Sequence, residues 1–307
     1  MPDRTAVRAA MLRLLERVEV PVRGVWSGRE ARRIHHLEAG TGPAVILLHG
    51  GTGGGANWFR LIGPLAQSFR VLAPDLPGFG LSDPVSPSAP LGGAAADRLV
   101  EWLESHAVSD ALVVGTSFGG LAALRLAQRS PAVTRLLLLD SAGLGRGIHA
   151  AIRLITAVPL PAFMMQGGRR GTALTVRHLL TADLSQLPRD DQDRLVDYLH
   201  ASARVAGGAY IHRTLRLFAG ARGQREVVGT DELASLRQPV AIVWGERDRL
   251  IPVSHARAAA AHLADVSLHV VPRAGHSPNW ERPAAVVDAI VQLARRPAPA
   301  LPERAAR

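Results

Sequence analysis

The sequence predicts an α/β protein with a mostly parallel, doubly wound sheet and an inserted helical segment. Short apolar runs alternate with amphipathic segments over residues 44–139 and again over residues 240–294, as in consecutive strand–helix units. Between about Leu144 and Arg225 the strand-like runs disappear, and prolines and glycines separate helical-looking pieces. We therefore expect a discontinuous core of residues 1–143 and 226–307, with a helical cap at residues 144–225.

The individual elements follow from periodicity and turn residues. Residues 4–17 are amphipathic and arginine-rich, which predicts a helix. The predicted strands are 20–26, 32–38, 44–48, 70–73, 111–116, 133–139, 240–244 and 267–271. The predicted helices of the core are 58–68, 94–106, 118–129, 254–263 and 283–294. The last residues, 295–307, are rich in Pro, Ala and Arg, which predicts a frayed tail.

Composition excludes several classes of protein. With 307 residues, 47% of them apolar, the chain has enough apolar side chains for a sizeable core and is not of the disordered class. The absence of cysteine excludes disulfides, a thiol nucleophile and thiolate metal sites. No uninterrupted apolar run is long enough to span a bilayer, so we expect a cytoplasmic protein without stable membrane insertion.

The net charge of +10 comes entirely from arginine, since the sequence has no lysine. Nucleic-acid binding would need a clustered basic patch interleaved with aromatic side chains. Aromatic residues are only 4% of the chain and the arginine clusters are short, so the charge predicts a solvated surface and no nucleic-acid partner.

A Gly-x-Ser-x-Gly motif at residues 115–119 identifies Ser117 as the candidate nucleophile. The motif lies between a predicted strand and a predicted helix, which is the context of a nucleophile elbow. Gly115 and Gly119 leave room for neighbouring chain, and the helix N-terminus favours an oxyanion nearby.

A serine hydroxyl needs a base and an acid that orients the base. His276 follows the last predicted strand, and Asp248 lies just past the strand 240–244, which gives the chain order serine, acid, histidine. Asp140, at the end of the strand after the elbow, is the rival acid, and Glu246 is a weaker one.

Small residues after the strand 44–48 suit an oxyanion hole built from backbone donors. We expect one donor to be the N–H of Phe118 and the other that of Gly51. The neighbouring Gly50 and Thr52 are expected to contact substrate, because small residues let the backbone approach it.

Five segments together resemble the α/β-hydrolase superfamily. They are His49-Gly50-Gly51, residues 75–82 (Asp-Leu-Pro-Gly-Phe-Gly-Leu-Ser), residues 115–120 (Gly-Thr-Ser-Phe-Gly-Gly), Gly245-Glu246-Arg247-Asp248 with Pro252, and Gly275-His276. The resemblance implies a nucleophile, base and acid at Ser117, His276 and Asp248. It also implies that residues 144–225 form a cap over the active site.

The serine at the elbow distinguishes the chain from the epoxide hydrolases and haloalkane dehalogenases of this superfamily, which carry Asp there. It resembles carboxylesterases and monoacylglycerol-lipase-like enzymes, and less closely the meta-cleavage product hydrolases. The latter usually have Asn, Gly-Pro-Gly and Trp where this chain has Thr116, Thr52-Gly53-Gly54 and Ser277. The first expectation is therefore hydrolysis of an ester or thioester. The alternatives are C–C bond hydrolysis and a non-catalytic ligand-binding or biosynthetic accessory role.

The substrate is expected to be a small molecule with an apolar acyl or aryl part. Phe163 and Met164, within an apolar stretch of the predicted cap, are the candidate residues for that pocket. The mechanism needs no metal and no organic cofactor, and a homodimer is compatible with the sequence.

Overall fold

The computed structural model describes residues 4–158 and 168–299, and its centre is an eight-stranded sheet. The strands of this sheet are β1 (Arg23–Ser27), β2 (Ile34–Ala39), β3 (Ala44–Leu48), β4 (Arg70–Pro74), β5 (Ala111–Thr116), β6 (Val133–Leu139), β9 (Val240–Gly245) and β10 (Val266–Val271). A small hairpin, β7 (Ala219–Gly220) and β8 (Gly223–Gln224), precedes β9. The spatial order is β1-β2-β4-β3-β5-β6-β9-β10, and all pairs from β4 to β10 are parallel. The predicted α/β fold with a mostly parallel sheet is confirmed.

Helices cover both faces of the sheet and fill much of the segment between β6 and β9. In chain order the described helices are α1 (Thr5–Leu15), α2 (Phe59–Ala66), α3 (Leu91–Ser105), α4 (Phe118–Ala127), α5 (Ala150–Ala157), α6 (Arg169–Thr175), α7 (Arg189–Ala206), α8 (Gly208–Phe218), α9 (Thr230–Ala234), α10 (Ser254–Ala260), α11 (Pro278–Glu281) and α12 (Pro283–Ala294). None of them is long and apolar enough to cross a bilayer. The division into core and cap domains stays a prediction.

Several elements differ from the sequence expectation, which does not contain the short helices α9 and α11. α3 begins at Leu91, three residues before the predicted start, because Leu91 and Ala95 continue the buried face of Leu99 by one more turn. The β7–β8 hairpin lies in a region where no strand is predicted. Its strands have two residues each, which is too short for a recognisable apolar period.

The core consists of two apolar layers, one on each face of the sheet. Along β5, Leu112 and Val114 point into one layer and Val113 into the other, because successive strand residues alternate between faces. Helices α1, α2 and α12 contribute to the first layer, and α3, α4 and α10 to the second. Burial on both faces explains why the central strands are continuous apolar runs.

The first helix packs against the long helix α7, far away in the sequence. Met11 and Leu14 of α1 are buried in the same apolar cluster as Leu199 of α7. An ion pair of 2.6 Å between Arg17 Nε and an Asp191 carboxylate oxygen lies beside this contact. The N-terminal helix therefore connects the sheet with the segment between β6 and β9.

Candidate active site

Four chemically useful side chains follow four neighbouring strands of the sheet. Ser117 follows β5, Asp140 follows β6, Asp248 lies just beyond β9, and His276 lies beyond β10. These strands are parallel and paired in register up to their last residues. Their carboxyl ends therefore meet at one edge of the sheet, where ligands bind in open α/β sheets.

Ser117 occupies a strained turn between β5 and α4. Its φ of 52° and ψ of −121° lie outside the regions that non-glycine residues favour. The Ser117 N–H donates to the Leu139 carbonyl (3.0 Å), which ties the turn to β6. A Cβ atom at Gly119 would overlap the carbonyl oxygens of Leu48 and His49, so only glycine lets the turn sit this close to β3.

Replacing Gly119 with alanine is expected to lower the free energy of unfolding by about 3 kcal/mol, because the new methyl group meets backbone that cannot move aside. Urea unfolding monitored by circular dichroism measures the change. Gly171→Ala is the matched control, since no atom of the residues that the structure describes lies within 4 Å of its Cβ position in α6. There we expect a gain of roughly 0.5–1 kcal/mol. Equal stabilities of the two variants would contradict the close packing of the turn.

His276 and Asp248 form a buried hydrogen-bonded pair. The distance from His276 Nδ1 to Asp248 Oδ2 is 2.8 Å, and the two side chains are 4% and 0% exposed. Since an ionised carboxylate only accepts, the ring nitrogen that carries the proton is Nδ1. His276 Nε2 is buried without a hydrogen-bond partner in the described part of the chain, so its lone pair is available to a substrate or nucleophile.

Backbone donors hold the Asp248 carboxylate from its other side. Oδ1 accepts from the N–H groups of Leu250 (2.7 Å) and Ile251 (3.0 Å). Together with the His276 contact, three donors satisfy this carboxylate. The structure thus pairs the predicted acid with the predicted base.

The two rival acids occupy other positions. Asp140 is fully buried beside the pair, and Asp140, Asp248 and His276 each have a ligand-type atom within 4.8 Å of the others. The pKa of Asp140 is raised well above its ordinary value. Burial is the largest cause, and the negative charge of Asp248 is the second. Glu246 is exposed and accepts from the N–H of Arg273 (3.0 Å).

The glycine-rich loop after β3 lies directly beside the nucleophile turn. A Cβ atom at Gly50 would lie 3.3 Å from Ser117 Cβ and 3.8 Å from Ser117 Oγ. Gly51 and Thr52 are exposed, and none of the described atoms lies within 4 Å of the Cβ position of Gly51. Phe118 begins α4, and the amides of a first helical turn have no partner within the helix. The loop and the helix start therefore border open space at Ser117.

Phe163 and Met164, the predicted pocket residues, lie outside the described residues. Among the described side chains, a cluster of four aromatic rings surrounds the start of α4. Ring centroids of Phe79 and Phe118 are 6.1 Å apart, those of Phe118 and Phe218 are 6.4 Å apart, and those of Phe79 and Tyr210 are 6.2 Å apart. Helix α8 thus places Tyr210 and Phe218 over the region next to Ser117.

Sequence reasoning assigned no role to Asp75, whose fully buried carboxylate supports the glycine-rich loop. Its Oδ1 accepts from the N–H of Gly55 (2.6 Å), and its Oδ2 accepts from the N–H of Leu81 (2.8 Å) and lies 3.0 Å from His35 Nδ1. Burial opposes its ionisation, but these hydrogen bonds and the neighbouring histidines outweigh burial and lower the pKa of Asp75. The sequence signal that could have identified Asp75 is its position in segment 75–82, one of the five segments that resemble the α/β-hydrolase superfamily.

Glu281 is a second residue that the sequence left without a role. Its buried carboxylate accepts from the N–H groups of Gly275 (2.7 Å), Ala182 (2.8 Å) and Asp183 (2.8 Å). Burial raises the pKa of Glu281 despite these donors. The contact joins the loop that carries His276 to the segment between β6 and β9. No local sequence pattern predicts this role of Glu281.

A cavity of about 930 Å³ borders helix α8, and Ser117 and His276 are not among its lining residues. The cavity is lined by Leu91 at the start of α3, by other residues and by four basic side chains, which are His212, Arg213, Arg216 and Arg225. Ser117 and this cavity, whose lining also includes Glu226, are therefore separate features, and α8 lies beside both.

Comparisons with known proteins agree with the fold. A family model described as "Alpha/beta hydrolase family" matches residues 45–289. The chain is 30% identical over 265 residues to the 2-hydroxy-6-oxo-6-phenylhexa-2,4-dienoate hydrolase of Burkholderia cepacia, covering 81% of this chain and 86% of that protein.

Two solved structures are also similar. The enzyme of the same description from Rhodococcus sp. strain RHA1 superposes with a TM-score of 0.76 at 23% identity, covering 91% of this chain and 100% of that one. Carboxylesterase CesB of Bacillus subtilis gives a TM-score of 0.75 at 21% identity, covering 94% and 97%. At these identities the two structures support the fold alone.

Proposed function

This chain belongs to the alpha/beta hydrolase family, and we propose that it is a serine hydrolase that cleaves a carboxylic ester or thioester. The observation that carries the proposal is the buried Asp248–His276 pair at the sheet edge where Ser117 occupies a strained turn. Within residues 4–158 and 168–299, His276 Nε2 has no hydrogen-bond partner. A nucleophile, a base and an acid that orients the base are the groups that acyl transfer through serine requires.

In the proposed mechanism His276 Nε2 accepts the proton of Ser117 as Oγ attacks the acyl carbonyl carbon. The Asp248 carboxylate stabilises the imidazolium that forms, and the N–H groups of Phe118 and Gly51 donate to the carbonyl oxygen as it becomes negative. The C–O or C–S bond then breaks, and the leaving group takes the proton from His276. Water attacks the acyl-enzyme by the same route and releases the acid.

The proposed substrate has an apolar acyl or aryl part of small to medium size. Phe79, Tyr210 and Phe218 are half-buried and present aromatic surface near Phe118, the residue after the nucleophile. Apolar ligands gain free energy from burying their surface against such side chains. Phe163 and Met164 stay predicted members of this pocket.

The proposal involves no metal and no organic cofactor, because the nucleophile, base and backbone donors supply each step. The proposal also keeps the remaining expectations from the sequence. They are a small-molecule substrate, no nucleic-acid partner, a cytoplasmic location and no stable membrane insertion, and a homodimer is compatible with them.

Purified protein assayed against p-nitrophenyl esters from acetate to laurate tests the proposal. We expect turnover with an optimum at butyrate to octanoate, because the aromatic cluster favours apolar acyl groups of that size. A fluorophosphonate should label the protein, and peptide mass spectrometry should locate the adduct on Ser117. Failure of both turnover and labelling would contradict the proposal and favour the non-catalytic ligand-binding role.

C–C bond hydrolysis is the second candidate, and the 30% identity to the Burkholderia cepacia enzyme favours it. Serine labelling without ester turnover, together with loss of the absorbance of 2-hydroxy-6-oxo-6-phenylhexa-2,4-dienoate, would select this candidate.

A further inference from the structure

Asp140 is a fully buried acid for which the proposed mechanism has no use. It directly follows β6 with a φ of 44°, an unfavourable conformation for a residue with a side chain. Its N–H donates to the Val243 carbonyl (3.0 Å), and its Oδ1 accepts from the Gly245 N–H (2.8 Å). These contacts to β9 maintain the strained conformation and direct the carboxyl group toward Asp248.

The other oxygen of Asp140 faces acids rather than donors. Oδ2 is buried and no described N–H or O–H group donates to it. Oxygen atoms of Asp140 and Asp248 lie within 4.8 Å of each other, and a hydrogen bond between two carboxyl groups requires a proton on one of them. Two ionised carboxylates at this separation, both out of water, would repel each other strongly.

The donors around the two groups indicate which one carries the proton. Asp248 receives three hydrogen bonds, from His276 Nδ1 and from the N–H groups of Leu250 and Ile251. Asp140 receives one, from Gly245. Since each donor stabilises the charged form, the negative charge resides on Asp248 and the proton on Asp140.

We propose that Asp140 is a positioning residue of the active site, protonated at neutral pH, that donates a hydrogen bond from Oδ2 to the Asp248 carboxylate. The bond holds Asp248 in the orientation that meets His276 and disperses its negative charge. This inference rests on the proposed serine hydrolase function for its effect on catalysis, but the proton itself can be measured without any substrate.

Other titratable groups act on the same pair. His276 contacts Asp248 directly, Glu281 on α11 adds a negative charge that acts on Asp140, and His255 on α10 interacts with Asp248. Each remains in place when only position 140 is changed. A change in pH behaviour at that position can therefore be assigned to Asp140.

The catalytic test compares Asp140→Asn with Asp140→Ala by the pH dependence of kcat/KM. An asparagine oxygen can still accept from Gly245 while its NH2 group donates to Asp248, so D140N imitates the protonated acid. We expect D140A to lose about 10- to 100-fold in kcat/KM through misplacement of His276, and D140N to recover most of that loss. The exposed Glu246 provides the control, because E246Q removes a nearby carboxylate outside the cluster.

The direction in which the acid limb of the profile moves separates a protonated from an ionised Asp140. Loss of a neutral donor leaves more negative charge on Asp248, so D140A should move the acid limb of the kcat/KM profile to higher pH. D140N keeps a neutral donor and should leave that limb near its wild-type position. If Asp140 were ionised, D140N and D140A would both move the limb to lower pH, by roughly 1–2 pH units for a charge about 5 Å away. That result would overturn the inference. So would activity that requires a divalent cation and is lost in EDTA.

A measurement of the proton needs no activity and therefore distinguishes failure of this inference from failure of the proposed function. The infrared difference spectrum between wild type and D140N at pH 7 should contain the carbonyl stretch of a protonated carboxyl group. The thermal midpoint gives a second test. Because folding raises the pKa of Asp140, wild type should lose stability relative to D140N as the pH rises above about 4. A carboxylate band in place of the protonated one would overturn the inference.

Discussion

Replacing Ser117 with alanine is expected to reduce kcat for p-nitrophenyl ester hydrolysis by about 10⁴- to 10⁶-fold. The substitution removes the only atom that forms the acyl-enzyme in the proposed mechanism, while the turn, Asp248 and His276 stay in place. The residual rate would come from substrate binding and the backbone donors alone. Steady-state assays at high enzyme concentration measure it, and fluorophosphonate labelling should disappear in parallel.

Two controls make the Ser117 result interpretable. The variant should keep the circular dichroism spectrum and an unfolding free energy within about 0.5 kcal/mol of wild type, because one hydroxyl is lost from a half-buried site. Ser105→Ala is the matched substitution, since Ser105 is exposed at the end of α3 and bonds only within that region. A folded S117A protein with wild-type turnover would rule out Ser117 as the nucleophile.

Replacing Asp248 with asparagine is expected to reduce kcat by about 10⁴-fold. The carboxylate fixes the proton of His276 on Nδ1 across 2.8 Å, which leaves the Nε2 lone pair for Ser117. The amide NH2 group of asparagine would face Nδ1 as a donor and favour the opposite tautomer, whose Nε2 carries a proton and cannot act as base. Assays of kcat across pH 5–9, a window chosen to span roughly the titration range of histidine, measure the loss.

The comparison for Asp248 is the Glu246→Gln variant, which changes a carboxylate two residues away without touching His276. It should retain wild-type kcat. If D248N also kept activity within about tenfold of wild type, the orienting acid would have to be another group, and the buried Asp140 is the one within reach. The double variant D140N/D248N would then lose the activity that D248N kept.

The turn that carries Ser117 is the part of the candidate site that local sequence predicts best. Its apolar strand, the Gly-x-Ser-x-Gly spacing and the following helix are contiguous, and the glycines are needed because backbone packs against them. The order serine, acid, histidine along the chain selects Asp248 and His276 as candidates, and their side chains form a hydrogen bond in the structure. These inferences work because each residue directly follows a strand, and parallel strands end at the same edge.

The supporting carboxylates illustrate what local sequence leaves undetermined. Asp75 precedes a recognisable glycine-rich segment, yet nothing nearby indicates that it accepts from Gly55, twenty residues earlier in the chain. Glu281 lies on a four-residue helix and receives two hydrogen bonds from Ala182 and Asp183, almost a hundred residues away. When two hydrogen-bond partners are this far apart in the sequence, their contact depends on how the segments pack. Secondary-structure propensity is a local property and carries no information about that packing.

The sequence by itself determined the eight strands of the main sheet, the Gly-x-Ser-x-Gly turn at Ser117, and Asp248 and His276 as the candidate acid and base. Only the tertiary structure decided that β6 and β9 are neighbours, although about a hundred residues separate them. That pairing places Asp140 beside Asp248, the position from which we propose that it donates a hydrogen bond to the second carboxylate. The physical reason is that strand order is fixed by burying both faces of the sheet at once, a condition on the whole chain rather than on any window of it.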